Sequence, residues 1–132
     1  MAARFFVDEN DLALGKLLAQ HHHAVAFPGH PSLREVPRGS LDEEWLPVVG
    51  AQALVVITRD RRIRYRPVEK HLWLEYRVRG FVLTGRRSQS TTDSLTVLEK
   101  HWSRIETLVV TQPDGPWMYA VTNERLREIS LL

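Results

Sequence analysis

A chain of 132 residues with 43% hydrophobic and 26% charged side chains is long enough to bury a conventional core, which excludes a disordered polymer and favours one domain. The absence of cysteine excludes a disulfide framework and a thiolate metal site, and fits a reducing, cytoplasmic setting. The net charge of +2 conceals a basic middle, with +7 over residues 59–87 against −3 before it and −2 after it; such a local field steers polyanions.

The N-terminal RFFVDEND sets acids where a signal peptide would carry its apolar stretch, and no run approaches the ~18 apolar residues of a membrane span. A soluble, intracellular protein with no membrane association is expected. Phe5, Phe6 and Val7 read as a short buried strand ending near Asp8. A helix follows over roughly Asn10 to His22, capped by Asn10 or Asp8, with Leu14, Leu17 and Leu18 on one face. AVAF is a second strand, and PGHPSLREVPRG, with three prolines and two glycines, is a loop. Ser40 opens SLDEEWL, a capping-box pattern with Glu43 at the third helical position, and the helix runs to about Gly50.

ALVVIT is the clearest strand, a continuous apolar run suited to a parallel strand covered on both faces. Pro67 starts a helix with Val68, Leu72 and Tyr76 on one face and Gly80 as its stop. FVLTG is a fourth strand. Leu95, Leu98, Trp102 and Ile105 form a helical stripe behind the cap candidates Thr91, Thr92 and Asp93. TLVVTQ is predicted as a fifth strand, PDGP as a turn, and MYAVT with LREISL as a terminal hairpin or a strand and tail. Alternating strands and helices predict an α/β fold, a three-layer sandwich with a central, mainly parallel sheet.

In open α/β sheets, ligands bind beyond the carboxyl ends of the strands where strand order reverses. Asp8 ends the first strand and Asp60 the third, so in the order 2-1-3 their carboxylates share a crevice. Asp42, Glu43 and Glu44 open the helix between them. Three or four carboxylates without cysteine or a convincing histidine set suit a hard cation, Mg2+ or Mn2+. Two such ions about 3.5–4 Å apart can activate a water and stabilise the leaving oxygen of a phosphodiester. Asp60 lies among Arg59, Arg61, Arg62, Arg64 and Arg66, which could hold a nucleic-acid backbone. Ion pairs with Glu69 or Glu75 would engage some of those arginines instead.

FFVDEN, LDEEWL and LVVITRDRRI, in that order, resemble the PIN-like nucleases, specifically the short VapC-related toxins of bacterial toxin–antitoxin systems. The resemblance implies a PIN-like fold, bound magnesium or manganese, endoribonuclease activity on an RNA substrate, a cognate antitoxin as inhibitor, and often a homodimer. By position it assigns Asp8, Asp42 and Asp60 as catalytic metal ligands; the basic run itself offers Arg59, Arg61, Arg62 and Arg64 to the RNA. The family often carries a second aspartate two residues after the last; Arg62 stands there, which reduces four acids to three unless Glu43 or Glu9 substitutes.

Each of these residues also has a structural reading. Asp8 can cap the first helix, Glu43 can belong to a capping box, and Asp42 and Glu44 can complement the helix dipole. His21, His22 and His23, adjacent on a helix, do not face one way and read as an exposed helix end. Trp45, Trp73 and Trp102 read as core or partner-facing, with Trp73 or Trp102 available to a dimer face. Trp117, after the turn, reads as a partner surface. A receiver-like phosphoacceptor domain would need a lysine after the fifth strand, where TQPDGP has none. A non-catalytic RNA- or antitoxin-binding module on a decayed PIN fold is the main alternative.

Overall fold

The apolar runs become the strands of one six-stranded sheet in the computed structural model, which describes residues 4–22, 24–85 and 90–131. The strands are β1 (Phe5–Val7), β2 (Val25–Ala26), β3 (Val55–Thr58), β4 (Arg79–Leu83), β5 (Trp117–Val121) and β6 (Leu126–Ile129). Their spatial order is β2-β1-β3-β4-β5-β6, parallel except for the antiparallel β5–β6 hairpin. The helices are α1 (Leu12–His21), α2 (Asp42–Ala51), α3 (Pro67–Glu75) and α4 (Thr91–Thr111).

Side chains alternate across the sheet, so neighbouring residues of one strand feed two cores. Phe5, Val7, Val55, Ile57 and Phe81 pack with Leu14 and Leu18 of α1 and with Val97, Leu98, Trp102, Ile105 and Val109 of α4. Phe6, Val56, Val82 and Met118 face the other way, onto Trp45, Leu46 and Val49 of α2 and Trp73 of α3. This is the expected three-layer α/β sandwich with a central, mainly parallel sheet. Among the described residues, no helix is long and apolar enough to cross a membrane.

The structure corrects several local expectations. TLVVTQ is not a strand: it forms the end of α4 and its C-cap. Val109 continues the buried stripe of Leu98, Trp102 and Ile105 at helical spacing, and the hydroxyls of Thr107 and Thr111 donate back to the carbonyls of Ser103 and Thr107, the helical use of a β-branched hydroxyl residue. Gly80 does not stop α3. The helix ends at Glu75, the chain reverses through Arg77 at φ 54°, and Gly80 sits within β4, where a Cβ would lie 2.6 Å from the Trp73 ring. Ser90, rather than Thr91 or Thr92, caps α4, with Asp93 N–H donating to Ser90 Oγ at 3.0 Å. Trp117 is buried, T-stacked on Phe81 at 5.4 Å, so it is no partner surface. Trp73 and Trp102 are buried too and offer nothing to a dimer face.

Gly50 sets how closely α2 meets the end of α3, because a Cβ there would lie 2.5 Å from Tyr76 Cβ and 2.6 Å from the Tyr76 carbonyl oxygen. Alanine normally stabilises a helix interior relative to glycine. Here the backbone clash reverses the sign, and Gly50→Ala is expected to lower unfolding stability in urea by about 1–3 kcal/mol.

Candidate active site

The carboxyl ends of β1 and β3, adjacent strands in register, bring Asp8 and Asp60 to one edge of the sheet, and the first turn of α2 brings Asp42 beside them. A cleft of 370 Å³ opens there, lined by Asp8, Asp42, Glu43, Asp60, Arg66 and Glu69 among others. The three acids therefore share one cleft, as the strand order predicts. The backbone of Asp8 begins a 3-10 turn over Glu9–Asp11, yet its side chain makes no capping hydrogen bond.

Asp8 is 1% exposed, and neither carboxylate oxygen has a donor. Burial pushes its pKa up to about 9, with Asp11, Asp42 and Asp60 adding to the rise. The neighbouring carboxyl of Asp11 is close enough to share the Asp8 proton; a buried acid whose near neighbours are other acids is costly in a folded domain when ionised.

Asp42 accepts from the Trp45 indole N–H at 3.0 Å, which anchors the carboxylate to a buried core residue. Its pKa is raised, chiefly by burial and further by Asp60, against the lowering effects of Trp45 and Arg66. Asp60 Oδ1 accepts from the Arg62 backbone N–H at 3.0 Å, an Asx-type turn that fixes the loop beyond β3. Arg66 donates to both Asp60 oxygens, at 2.7 and 3.0 Å, and its Nη1 lies 3.6 Å from Asp42 Oδ2. One guanidinium thus bridges two of the three acids. Among the described residues, no three His, Cys, Asp or Glu side chains converge closely enough to hold one ion together.

Glu43 is exposed on the rim of the cleft and does not form the helix cap. The cap lies one residue later than the sequence suggests. Glu44 Oε1 accepts from the Leu41 N–H at 2.7 Å, and Ser40 Oγ donates to the Pro37 carbonyl instead.

The arginines divide by role. Arg59 is tied to Asp11, with Nε donating to Oδ1 at 2.6 Å and the backbone N–H donating to Oδ2 at 3.0 Å. Arg64 stacks on and hydrogen-bonds Tyr65, its guanidinium carbon 4.5 Å from the ring centroid. Arg61 and Arg62 are exposed, and their side chains have no ion pair or hydrogen bond among the described residues. Among the described residues, Glu75 pairs with His71 and with no arginine. His22 contacts Glu99 at 2.7 Å and stacks on Trp102 at 4.0 Å, which is a packing role; His23 lies outside the described residues.

Two residues that the structure ties to the acids, Asp11 and Arg66, are not singled out in the sequence. Asp11 is buried against Asp8 and joins the first loop to the third; its signal is the three-residue spacing from Asp8, which one 3-10 turn brings alongside. Arg66 reads as one of a run, and its signal is the following Pro67, which places it at the N-cap of α3, facing the cleft.

No curated protein and no solved structure matches the chain significantly. A family model described as a PIN like domain matches residues 3–85, a span that contains β1 to β4 and every residue of the acid cleft. The chain belongs to the PIN-like domain family, whose members are generally nucleases.

Proposed function

We propose that the protein is a metal-dependent endoribonuclease in which Asp8, Asp42 and Asp60 hold Mg2+ or Mn2+ at the end of the sheet, in part through waters that such a cation keeps, since the three carboxylates do not converge on one point. The observation that carries this reading is Asp8: a carboxylate buried without a donor, in a cleft shared with two further acids. The donor set is all oxygen, which fits a hard cation. A cation bound there would act as a Lewis acid and lower the pKa of an attacking water.

The chain's own residues supply the rest. Trp45 holds the Asp42 carboxylate in place, the Asp11–Arg59 pair fixes the two loops that carry Asp8 and Asp60, and Arg61 and Arg62 present free charge for phosphates beside the cleft. Arg64 remains an RNA contact in this reading, offered together with the exposed Tyr65 ring, on which a base can stack. Arg59 is reassigned to positioning, because Asp11 engages it. The motif resemblance to VapC-related toxins supports a cytoplasmic toxin held in check by a cognate antitoxin; a homodimer is carried by that resemblance alone.

A second reading is favoured by Arg66 and Arg62. The first neutralises Asp60 and Asp42, and the second stands where a fourth acid is often found, which suits a binding module that has lost catalysis. Cleavage of a mixed set of structured RNAs separates the two. With Mg2+ or Mn2+, the wild type is expected to cut, chelator to stop it, and Asp60→Asn to lose at least about a hundredfold in rate with an unchanged circular dichroism spectrum. Salt-sensitive RNA binding without cutting by either protein would support the binding module.

A further inference from the structure

The acid cleft already contains a cation of its own. Arg66 grips Asp60 with two hydrogen bonds and reaches Asp42 at 3.6 Å, so the guanidinium takes up the carboxylate oxygens that a divalent ion would need. Its pKa is raised, first by the bond to Asp60. Asp8, deeper in the cleft, receives nothing from it and keeps both oxygens without a donor. Arg66 therefore supplies a cation at the mouth of the site and none to Asp8 at its base.

We infer that Arg66 is a tethered counter-ion that competes with the divalent cation for Asp60 and Asp42, and so sets the metal affinity of the site. This inference rests on the metal-binding reading above.

The geometry allows the exchange. Arg66 stands at the junction of the 59–66 loop and α3, and its side chain is 40% exposed. It can swing outward without disturbing either core. Glu69, one turn along α3, lines the same cleft and favours the charged guanidinium, so a released Arg66 has a second carboxylate nearby. Arg62 N–H and Trp45 N–H keep the Asp60 and Asp42 carboxylates at the cleft when the guanidinium leaves. The physical cost is a population tax: if the arginine-off state is occupied about one-tenth of the time, apparent metal affinity is about tenfold weaker than intrinsic affinity.

Three substitutions in the full chain test this by calorimetric titration with Mn2+. Arg66→Met removes the competitor and is expected to tighten Mn2+ binding about tenfold. Arg66→Lys keeps the charge but loses the two-pronged contact, and should fall between wild type and Arg66→Met. Arg62→Met removes the same formal charge from a residue whose side chain does not touch the acids, and should change affinity by less than about threefold, the size of a solvent-screened charge effect.

Unchanged or weaker binding by Arg66→Met overturns the inference while leaving the metal site intact. An equal gain from Arg62→Met also overturns it, because a general field would then explain the effect. No Mn2+ binding by wild type or Arg66→Met removes the metal reading itself and the inference with it. Should Arg66→Met fold poorly, Mg2+ titration of isotope-labelled wild type decides the matter: the Arg66 side-chain resonances are expected to shift as the guanidinium leaves Asp60, and resonances that stay fixed while metal binds overturn the inference.

Discussion

Asp8→Asn is expected to abolish metal-dependent RNA cleavage and, at the same time, to raise the thermal stability of the metal-free protein. The two effects share one cause. Asp8 is buried among like charges with no donor to either oxygen, an arrangement that burdens the fold and is worth keeping only for a ligand that supplies positive charge. Its folded pKa is raised to about 9 from an unfolded value near 3.8, so the folded state holds its proton where the unfolded chain releases it. This contribution to stability is fully present below pH 3.8, declines as pH rises between the two values, and has been lost above about pH 9. The decline approaches about 1.4 kcal/mol per pH unit for this one group.

Asparagine removes that dependence. At pH 8 the variant should therefore be more stable by up to about 6 kcal/mol, the sum of about 1.4 kcal/mol over the roughly four pH units above 3.8, and the gain should vanish near pH 4. Differential scanning calorimetry at both pH values, without divalent metal, checks it. A variant less stable than wild type at pH 8 would make Asp8 an ordinary structural residue.

Arg79→Met should have the opposite profile, a large loss of stability with the acid cleft untouched. Arg79 begins β4, at the edge of the sheet away from the cleft, and is 8% exposed. Its guanidinium donates to the carbonyls of Val109 at 3.1 Å and Gln112 at 3.4 Å, at the C-terminal end of α4, and to that of Ala53 at 3.0 Å, in the turn between α2 and β3. One cation thus closes a helix end, where positive charge is favoured, and ties it to the α2–β3 turn.

Methionine has similar length and apolar reach but takes the charged donor from the Val109 and Ala53 carbonyls, while Gln112 keeps the Trp117 indole N–H at 3.1 Å. Hydrogen bonds from a charged donor are worth about 1.5–3 kcal/mol each. Burial of the guanidinium lowers the Arg79 pKa, a sign that part of the gain is spent on desolvation. A net loss of about 2–4 kcal/mol follows, measurable as a lower urea midpoint, with Mn2+ affinity per folded molecule unchanged. Stability equal to wild type would mean that the helix end is closed by other contacts.

Much of this architecture can be read from the chain, and the misreadings have physical reasons. β1 and β3 are legible because strands covered on both faces need unbroken apolar runs, and FFV and VVIT provide them. The placement of Asp8 and Asp60 follows from those runs and from the strand order. Residues 107–112 mislead because local β propensity is a weak force beside the packing of a continuous stripe: Val109 completes the row begun by Val97 and Leu98, while Val110 is 69% exposed. Gly80 misleads because glycine serves two ends, stopping a helix or making room for a neighbour, and only the Trp73 ring above it tells which. The Asp11–Arg59 pair is invisible in sequence because it joins two loops whose approach is fixed by the sheet; the Arg66–Asp60 pair closes a single loop, and nothing in a run of five arginines tells which one turns back onto the aspartate.

The central claim is that the buried Asp8 carboxylate is retained for a divalent cation. Titration of Mn2+ into wild type and Asp8→Asn, both confirmed folded, tests it most directly. Saturable binding by the wild type that is lost in Asp8→Asn is the predicted result; equal binding by both proteins, or none by the wild type, would contradict it.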